Sequence, residues 1–216
     1  RFNTPLALPG FVTSFGDTLN VKVQGYEATG YKASVYGQVS HHIVAPLEIT
    51  LGGRVDYFSL AEDKLYFSPR LASVYGLTGL TNLTASVGVY YQTPSYVWLV
   101  SNPGNRSLKS ARVNQYILGV EHLLRADLKV RGEGFIKDYR DYSSSLNQRY
   151  LVLANTGGGF GGSEENFSSF GLDGLASLGE GRSKGVELLI QKKLSEVPLF
   201  GIVSLTVSDT RFIALD

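Results

Sequence analysis

The feature that most constrains this chain is a two-residue alternation of apolar and polar side chains, sustained over runs of about ten residues. Successive side chains of an extended strand point to opposite faces, so each run reads as a strand with one apolar and one polar face. From Tyr31 to His42, Ala33, Val35, Gly37 and Val39 oppose Lys32, Ser34, Tyr36, Gln38 and Ser40. From Leu47 to Phe58, Leu47, Ile49, Leu51, Val55 and Tyr57 oppose Glu48, Thr50, Arg54 and Asp56. Leu65 to Gly76 alternates less clearly, because Ala72 and Val74 stand against Leu71, Ser73 and Tyr75. Leu83 to Gln92 alternates cleanly until Pro94, which cannot donate to a ladder. Runs around Tyr116 to Val120, Leu128 to Tyr139, Val186 to Lys193 and Gly201 to Ser208 bring the predicted strands to eight, and Leu19 to Gln24 is left open as a ninth.

The connections alternate in length. They are short after Ile43, Leu77, Leu123 and Leu194, and longer after Phe58, Thr93 and Tyr142. The stretch from Tyr96 to Arg112, with its Asn102-Pro103-Gly104-Asn105 turn signal, reads as an exposed loop. The stretch from Ser143 to Gly181, rich in Gly, Ser and Asn, reads as the longest connection. Consecutive connections of an antiparallel sheet lie at opposite ends, so every short turn falls on one side, as periplasmic turns and extracellular loops do in a transmembrane barrel. Strands of this length suit a tilted crossing of the hydrocarbon layer. The expected fold is therefore all-β: an antiparallel transmembrane β-barrel segment of about eight long strands.

The polar face carries Glu48, Arg54, Asp56, Glu121, Lys129, Arg131, Glu133, Lys137, Glu187 and Lys193, too many charges for a dry core. They are expected to face a hydrated lumen or a plug. Arg54, Asp56, Glu121, Arg131, Glu133 and Glu187 are singled out as wall charges that form ion pairs. Tyr57, Tyr91 and Tyr116 near strand ends suit an aromatic girdle. A soluble sheet with one wet face would alternate in the same way, although its strands would be shorter and its loops more compact.

Composition excludes several classes. Twenty Lys and Arg against nineteen Asp and Glu provide no field for a nucleic-acid partner. With no cysteine there is no disulfide, thiolate nucleophile or zinc-thiolate site. No run approaches the roughly 18 apolar residues of a membrane-spanning helix. His41 and His42 point to opposite faces of one strand and cannot share a metal, and His122 stands alone, so no metal is expected. The Gly157 to Gly162 run lacks the following Lys-Ser/Thr of a phosphate loop. No nucleophile elbow accompanies the histidines, and neither an enzyme nor a cofactor is expected.

The residues also carry a family resemblance over about 31 to 212. Gly53-Arg54-Val55-Asp56-Tyr57-Phe58 resembles the recurring Gly-x-Arg-x-Asp-Tyr strand end of TonB-dependent outer-membrane receptors, with Ser68-Pro69-Arg70-Leu71 on the next strand. Asn114 to Glu121, Phe135 to Tyr142 and Gly185-Val186-Glu187 resemble later barrel strands in the expected order. Ile117 stands where the family often has Glu, and the plug domain, TonB box and closing strand are not found in this chain. The chain has no Met and no terminal motif, and it reads as an internal piece.

The resemblance implies energy-dependent import of a scarce nutrient such as a metal chelate, cobalamin or a glycan across the bacterial cell outer membrane. It also implies three protein or lipid partners: outer-membrane lipid, a plug domain of the same parent chain, and the TonB energy-coupling complex. Residues 1–30 are expected to be an extracellular loop or partial strand, and 31–216 a partial barrel. The loop residues Tyr96, Trp98, Arg106, Tyr150, Phe160, Phe167, Phe170 and Asp173 are the candidate contacts to a small-molecule or glycan ligand, by stacking and hydrogen bonding. The competing account is that they only pack the loops. Two other functions stay open at this point: a small autonomous barrel acting as adhesin or passive pore, and a soluble carbohydrate-binding β-domain.

Overall fold

The computed structural model describes residues 27–146, 174–195 and 197–214, together with 2–3, 11–12, 18–19 and 152. Near the N-terminus, β1 (Phe2–Asn3) pairs with β4 (Glu27–Ala28), and β2 (Phe11–Val12) with β3 (Thr18–Leu19). Of the open ninth strand, only Leu19 falls within the described residues. Eight long strands then form one antiparallel sheet in sequence order: β5 (Lys32–Val44), β6 (Leu47–Phe58), β7 (Leu65–Thr78), β8 (Thr81–Gln92), β9 (Ala111–Arg125), β10 (Leu128–Ser145), β11 (Leu175–Lys192) and β12 (Gly201–Ile213). They run from 12 to 18 residues, long enough to cross a bilayer at a tilt.

The sheet is not closed, and among the described residues β5 and β12 each have one free edge. Two-residue gaps join β5 to β6, β7 to β8 and β9 to β10, all at one end. The connection between β8 and β9 and that between β10 and β11 lie at the other end.

The alternation read from the sequence is present in space. Val39, Leu51, Leu71, Val87, Tyr116 and Ile136 form one continuous rung across β5 to β10 through paired register positions. These apolar side chains are exposed: Val39 is 70% accessible and Leu51 61%. A water-soluble sheet would hide such a face, whereas hydrocarbon is its natural solvent. On β11 and β12 the same rung continues into Lys184 and Asp209. Strands of a barrel tilt, so a line perpendicular to them climbs from the hydrocarbon level into the polar layer.

The buried hydrophobic residues sit elsewhere. Phe58, Ala61, Tyr66, Trp98, Leu99, Leu108 and Leu175 make one cluster at the end of the sheet that carries the long connections. A β-bulge shapes the upper part of β10. Asp141 takes φ 58°, a left-handed conformation that Asp tolerates better than most residues, and the β10–β11 register shifts between Tyr139 and Tyr142. The extra residue turns Tyr142 to the face of Tyr139, and both rings meet Phe212, at 5.7 and 5.1 Å between centroids.

Two expectations change in extent. Ser143 to Ser145 and Leu175 to Gly181 belong to β10 and β11, so the longest connection shrinks to residues 146–174. Their Gly and Ser content misled the reading. Here the small residues are what a close ladder needs: the Phe212 ring lies where a Cβ on Gly181 would project, 2.4 Å from its nearest atom. Secondly, the irregular stretch 96–112 contains α1 (Tyr96–Ser101) and a 3-10 turn, η1 (Pro103–Ser107), before β9 begins.

Candidate ligand site on the polar face

Even-numbered residues of β5 to β8 share the polar face, and near the long connections they converge on a cavity of about 570 Å³. Its charged lining is Lys32, Arg54, Asp56 and Arg70, with Tyr66 and Tyr90 between them. Arg54 donates through Nε and one terminal nitrogen to the Asp56 carboxylate at 2.8 to 2.9 Å. The fork geometry fixes both side chains two residues apart on one strand face.

Arg70 is held differently. Across the ladder it faces Gly52 on one side and Gly88 on the other. The Tyr90 ring occupies the space that a Cβ at Gly88 would need, and the Arg70 guanidinium lies 4.6 Å from that ring's centroid. Lys32 Nζ donates to Thr93 Oγ1 at 2.5 Å and lies 4.5 Å from the Phe58 ring and 4.9 Å from that of Tyr96. Aromatic faces stabilise both cations while leaving their N–H groups able to meet a ligand. Three cations thus meet one carboxylate in an aromatic-lined recess, a chemistry suited to an anionic, oxygen-rich ligand.

The β8–β9 connection lies beside this recess, where Tyr96 meets Lys32. Tyr96 stacks edge-on against Phe58 at 5.2 Å, and Trp98, at 9% exposure, packs into the buried cluster. Asn102 caps the turn by accepting Gly104 N–H at 2.9 Å. Asn105, wholly buried, donates to the Trp98 carbonyl at 3.1 Å and accepts Leu175 N–H at 2.8 Å. Lys109 N–H reaches Ser177 Oγ at 2.9 Å. The connection is therefore fastened to β11 as well as to its own strands.

Of the residues expected to contact ligand, Tyr96 does not line the recess but touches Lys32 and Phe58, and Trp98 packs into the buried cluster. Arg106 is exposed on η1. Tyr150, Phe160, Phe167, Phe170 and Asp173, like the Gly157 to Gly162 run, lie outside the described residues. The other wall charges share the polar face. Glu121 pairs with Lys129 at 3.1 Å, Arg131 contacts Glu133, and Glu187 faces Glu133 across the β10–β11 ladder.

His42 approaches Glu48 at 3.5 Å, and His122 Nδ1 lies 2.9 Å from Thr81 Oγ1. Among the described residues, no group of three metal-ligating side chains converges. Sequence reasoning missed Lys32, Arg70, Tyr66, Tyr90 and Asn105. The first four were recoverable by aligning the even positions of four adjacent strands; nothing local marks Asn105.

A long-stranded antiparallel wall with an exposed apolar face and a charged opposite face is the wall of a membrane β-barrel. The sequence family described as TonB dependent receptor-like, beta-barrel matches residues 2–213, and the chain belongs to that family.

Solved structures with a similar fold include the FrpB iron transporter of Neisseria meningitidis (F3-3 variant; TM-score 0.60, 16% identity, 89% of this chain and 27% of that one). The FpvAI–pyocin S2 complex is also similar (0.63, 16%, 88% and 24%), as is the siderophore receptor PirA of Pseudomonas aeruginosa (0.61, 18%, 84% and 32%). Comparison by sequence with curated proteins gives no match. The chain spans 24% to 32% of the length of these three structures.

Proposed function

We propose that this chain is part of a bacterial outer-membrane active transporter whose cargo is an anionic metal chelate. The observation that carries the reading is the recess formed by Lys32, Arg54 and Arg70 with Tyr66 and Tyr90, at the long-loop end of this family's barrel. An iron transporter and a siderophore receptor among the similar structures agree with that cargo. Cobalamin and neutral glycans make less use of three clustered cations. Residues 31–216 then supply part of the barrel wall and 1–30 a preceding extracellular segment. A plug domain and the TonB complex act through other parts of the parent chain, and this reading assigns the chain no catalysis.

The free edges of β5 and β12 count against an autonomous eight-stranded barrel, because backbone groups in hydrocarbon must all be paired. The test is binding of ferric catecholate, cobalamin and maltooligosaccharide to the full-length protein in detergent. Ferric catecholate is expected to bind, and Arg54→Ala with Arg70→Ala to weaken it about tenfold or more. Glycan binding untouched by those substitutions would overturn the assignment.

A further inference from the structure

The ladder between β7 and β8 stops short of the long connections. It runs from the pair Thr78 and Thr81 up to Arg70 and Gly88, whereas β6–β7 continues to Tyr57 and Leu65, and β8–β9 to Gln92 and Ala111. The wall therefore forks. Among the described residues, 65–69 of β7 and 89–92 of β8 each keep one ladder neighbour and leave the edge toward the other unpaired. The free edge of β7 spans roughly 15 Å of strand. Inside hydrocarbon such an edge would be untenable. Here the rung through Tyr91 passes into Arg112 on β9 and Arg140 on β10, which places the fork in the polar layer beyond the apolar belt.

A cavity of about 690 Å³ opens at the fork, within the roughly 300–1,000 Å³ of small-ligand sites. Its charged lining is Glu62, Asp63 and Lys64 from the β6–β7 connection, Lys109 and Arg112 at the start of β9, and Asp141 from the β10 bulge. Three acids balance three bases, yet none of them belongs to an ion pair among the described residues. Two hydroxyls complete the lining. Tyr66 is 6% exposed and Ser110 2%, and neither Tyr66 Oη nor Ser110 Oγ has a hydrogen-bond partner among the described residues. A ligand with N–H and C=O groups satisfies both.

Unpaired strand edges, balanced charges and unmet hydroxyls together complement a polypeptide with charged side chains. A neutral glycan offers hydroxyls but no charge, and a ligand of one sign meets as many repelling groups as attracting ones. We propose that the β7–β8 fork binds an extended peptide segment bearing charges of both signs, whose backbone adds as a strand to residues 65–68 of β7. Pro69, which has no N–H, ends the addition from below. Tyr66 and Tyr91 also line the recess, but the charged groups of the two sites are distinct. The proposal does not depend on what the cargo is.

Fluorescence anisotropy of a labelled hexapeptide of alternating Lys and Glu, titrated with the full-length protein in detergent and without any metal chelate, tests it. The peptide is expected to bind more tightly than all-Lys, all-Glu or Gly-Ser hexapeptides. Methylating its backbone nitrogens removes the ladder donors, keeps the charges and leaves the protein untouched, and should weaken binding about tenfold or more. Lys109→Gln with Arg112→Gln, and separately Glu62→Gln with Asp63→Asn, should do the same, with heat-modifiable gel migration checking that each variant folds. Absence of binding, or equal affinity for the methylated peptide, overturns strand addition. Affinity unchanged in either variant overturns the site, as does equal competition by free lysine and glutamate, which would make the cavity a site for small zwitterions. Because no chelate is present, none of these results bears on the cargo assignment.

Discussion

The side-chain oxygen of Asn105 accepts the backbone N–H of Leu175 at 2.8 Å, joining the β8–β9 connection to the first residue of β11. The same side chain donates to the Trp98 carbonyl, so one buried amide fastens two segments far apart in sequence. Replacing it with Ala leaves a buried N–H and a buried C=O without these partners, at a cost of about 1–3 kcal/mol each. Asn105→Ala is expected to speed amide exchange at Leu99, Leu108 and Leu175 while leaving β5 and β6 unchanged. Unaltered exchange at those three amides would show that the apolar contacts of Trp98 and Leu99 suffice.

The bulge at Asp141 makes a separate prediction. Its left-handed φ of 58° costs an ordinary L-residue roughly 1–2 kcal/mol, and glycine nothing. Asp141→Gly should preserve the thermal midpoint of the full-length protein, and Asp141→Val should lower it. Disturbance of the Tyr139–Tyr142–Phe212 cluster would appear as altered near-ultraviolet dichroism in the Val variant alone. Equal midpoints for the two variants would remove the bulge from the account.

At the short-turn end, Asp127 follows β9 and receives hydrogen bonds from Lys192 and Ser195. The Lys192 bond, then that of Ser195, and the lysine's charge, lower its carboxyl from 3.8 to about 2. A depressed carboxyl stabilises the fold above the unfolded value, near 3.9, and that contribution disappears as pH falls through the folded value. Wild type should therefore exceed Asp127→Asn in thermal midpoint at pH 5 and converge with it between about pH 4 and pH 2. A constant difference across that range would contradict the clasp.

Much of this architecture is legible in the sequence because a strand writes its two environments into alternate residues. Val35, Leu51, Val87 and Val186 stand out as one apolar face for that reason, and the chain order of short and long connections orients the sheet. The weak alternation of Leu65 to Gly76 still resolves to a regular strand, since Leu65, Phe67, Leu71 and Tyr75 pair in register with the outward residues of β6. What the pattern does not carry are distances between strands. The recess depends on Arg70 lying between Gly52 and Gly88, and on Lys32 reaching Phe58 and Tyr96, which are register relations across hairpins. Trp98 looked like a ligand-facing aromatic because local sequence cannot reveal that Leu175 would come to cover the same cluster.

The central claim is that odd positions of β8 and even positions of β11 touch lipid while their neighbours touch water inside the barrel wall. This chain contributes no cysteine, so Val87→Cys, Leu188→Cys, Ser86→Cys and Thr206→Cys can each carry a single nitroxide in the reconstituted full-length protein once any cysteine elsewhere in it is replaced by Ser. Power-saturation electron paramagnetic resonance should find the labels at 87 and 188 relaxed by lipid-dissolved oxygen and shielded from an aqueous nickel chelate, with the reverse at 86 and 206. Labels at 87 and 188 that answer to nickel and not to oxygen would contradict the account.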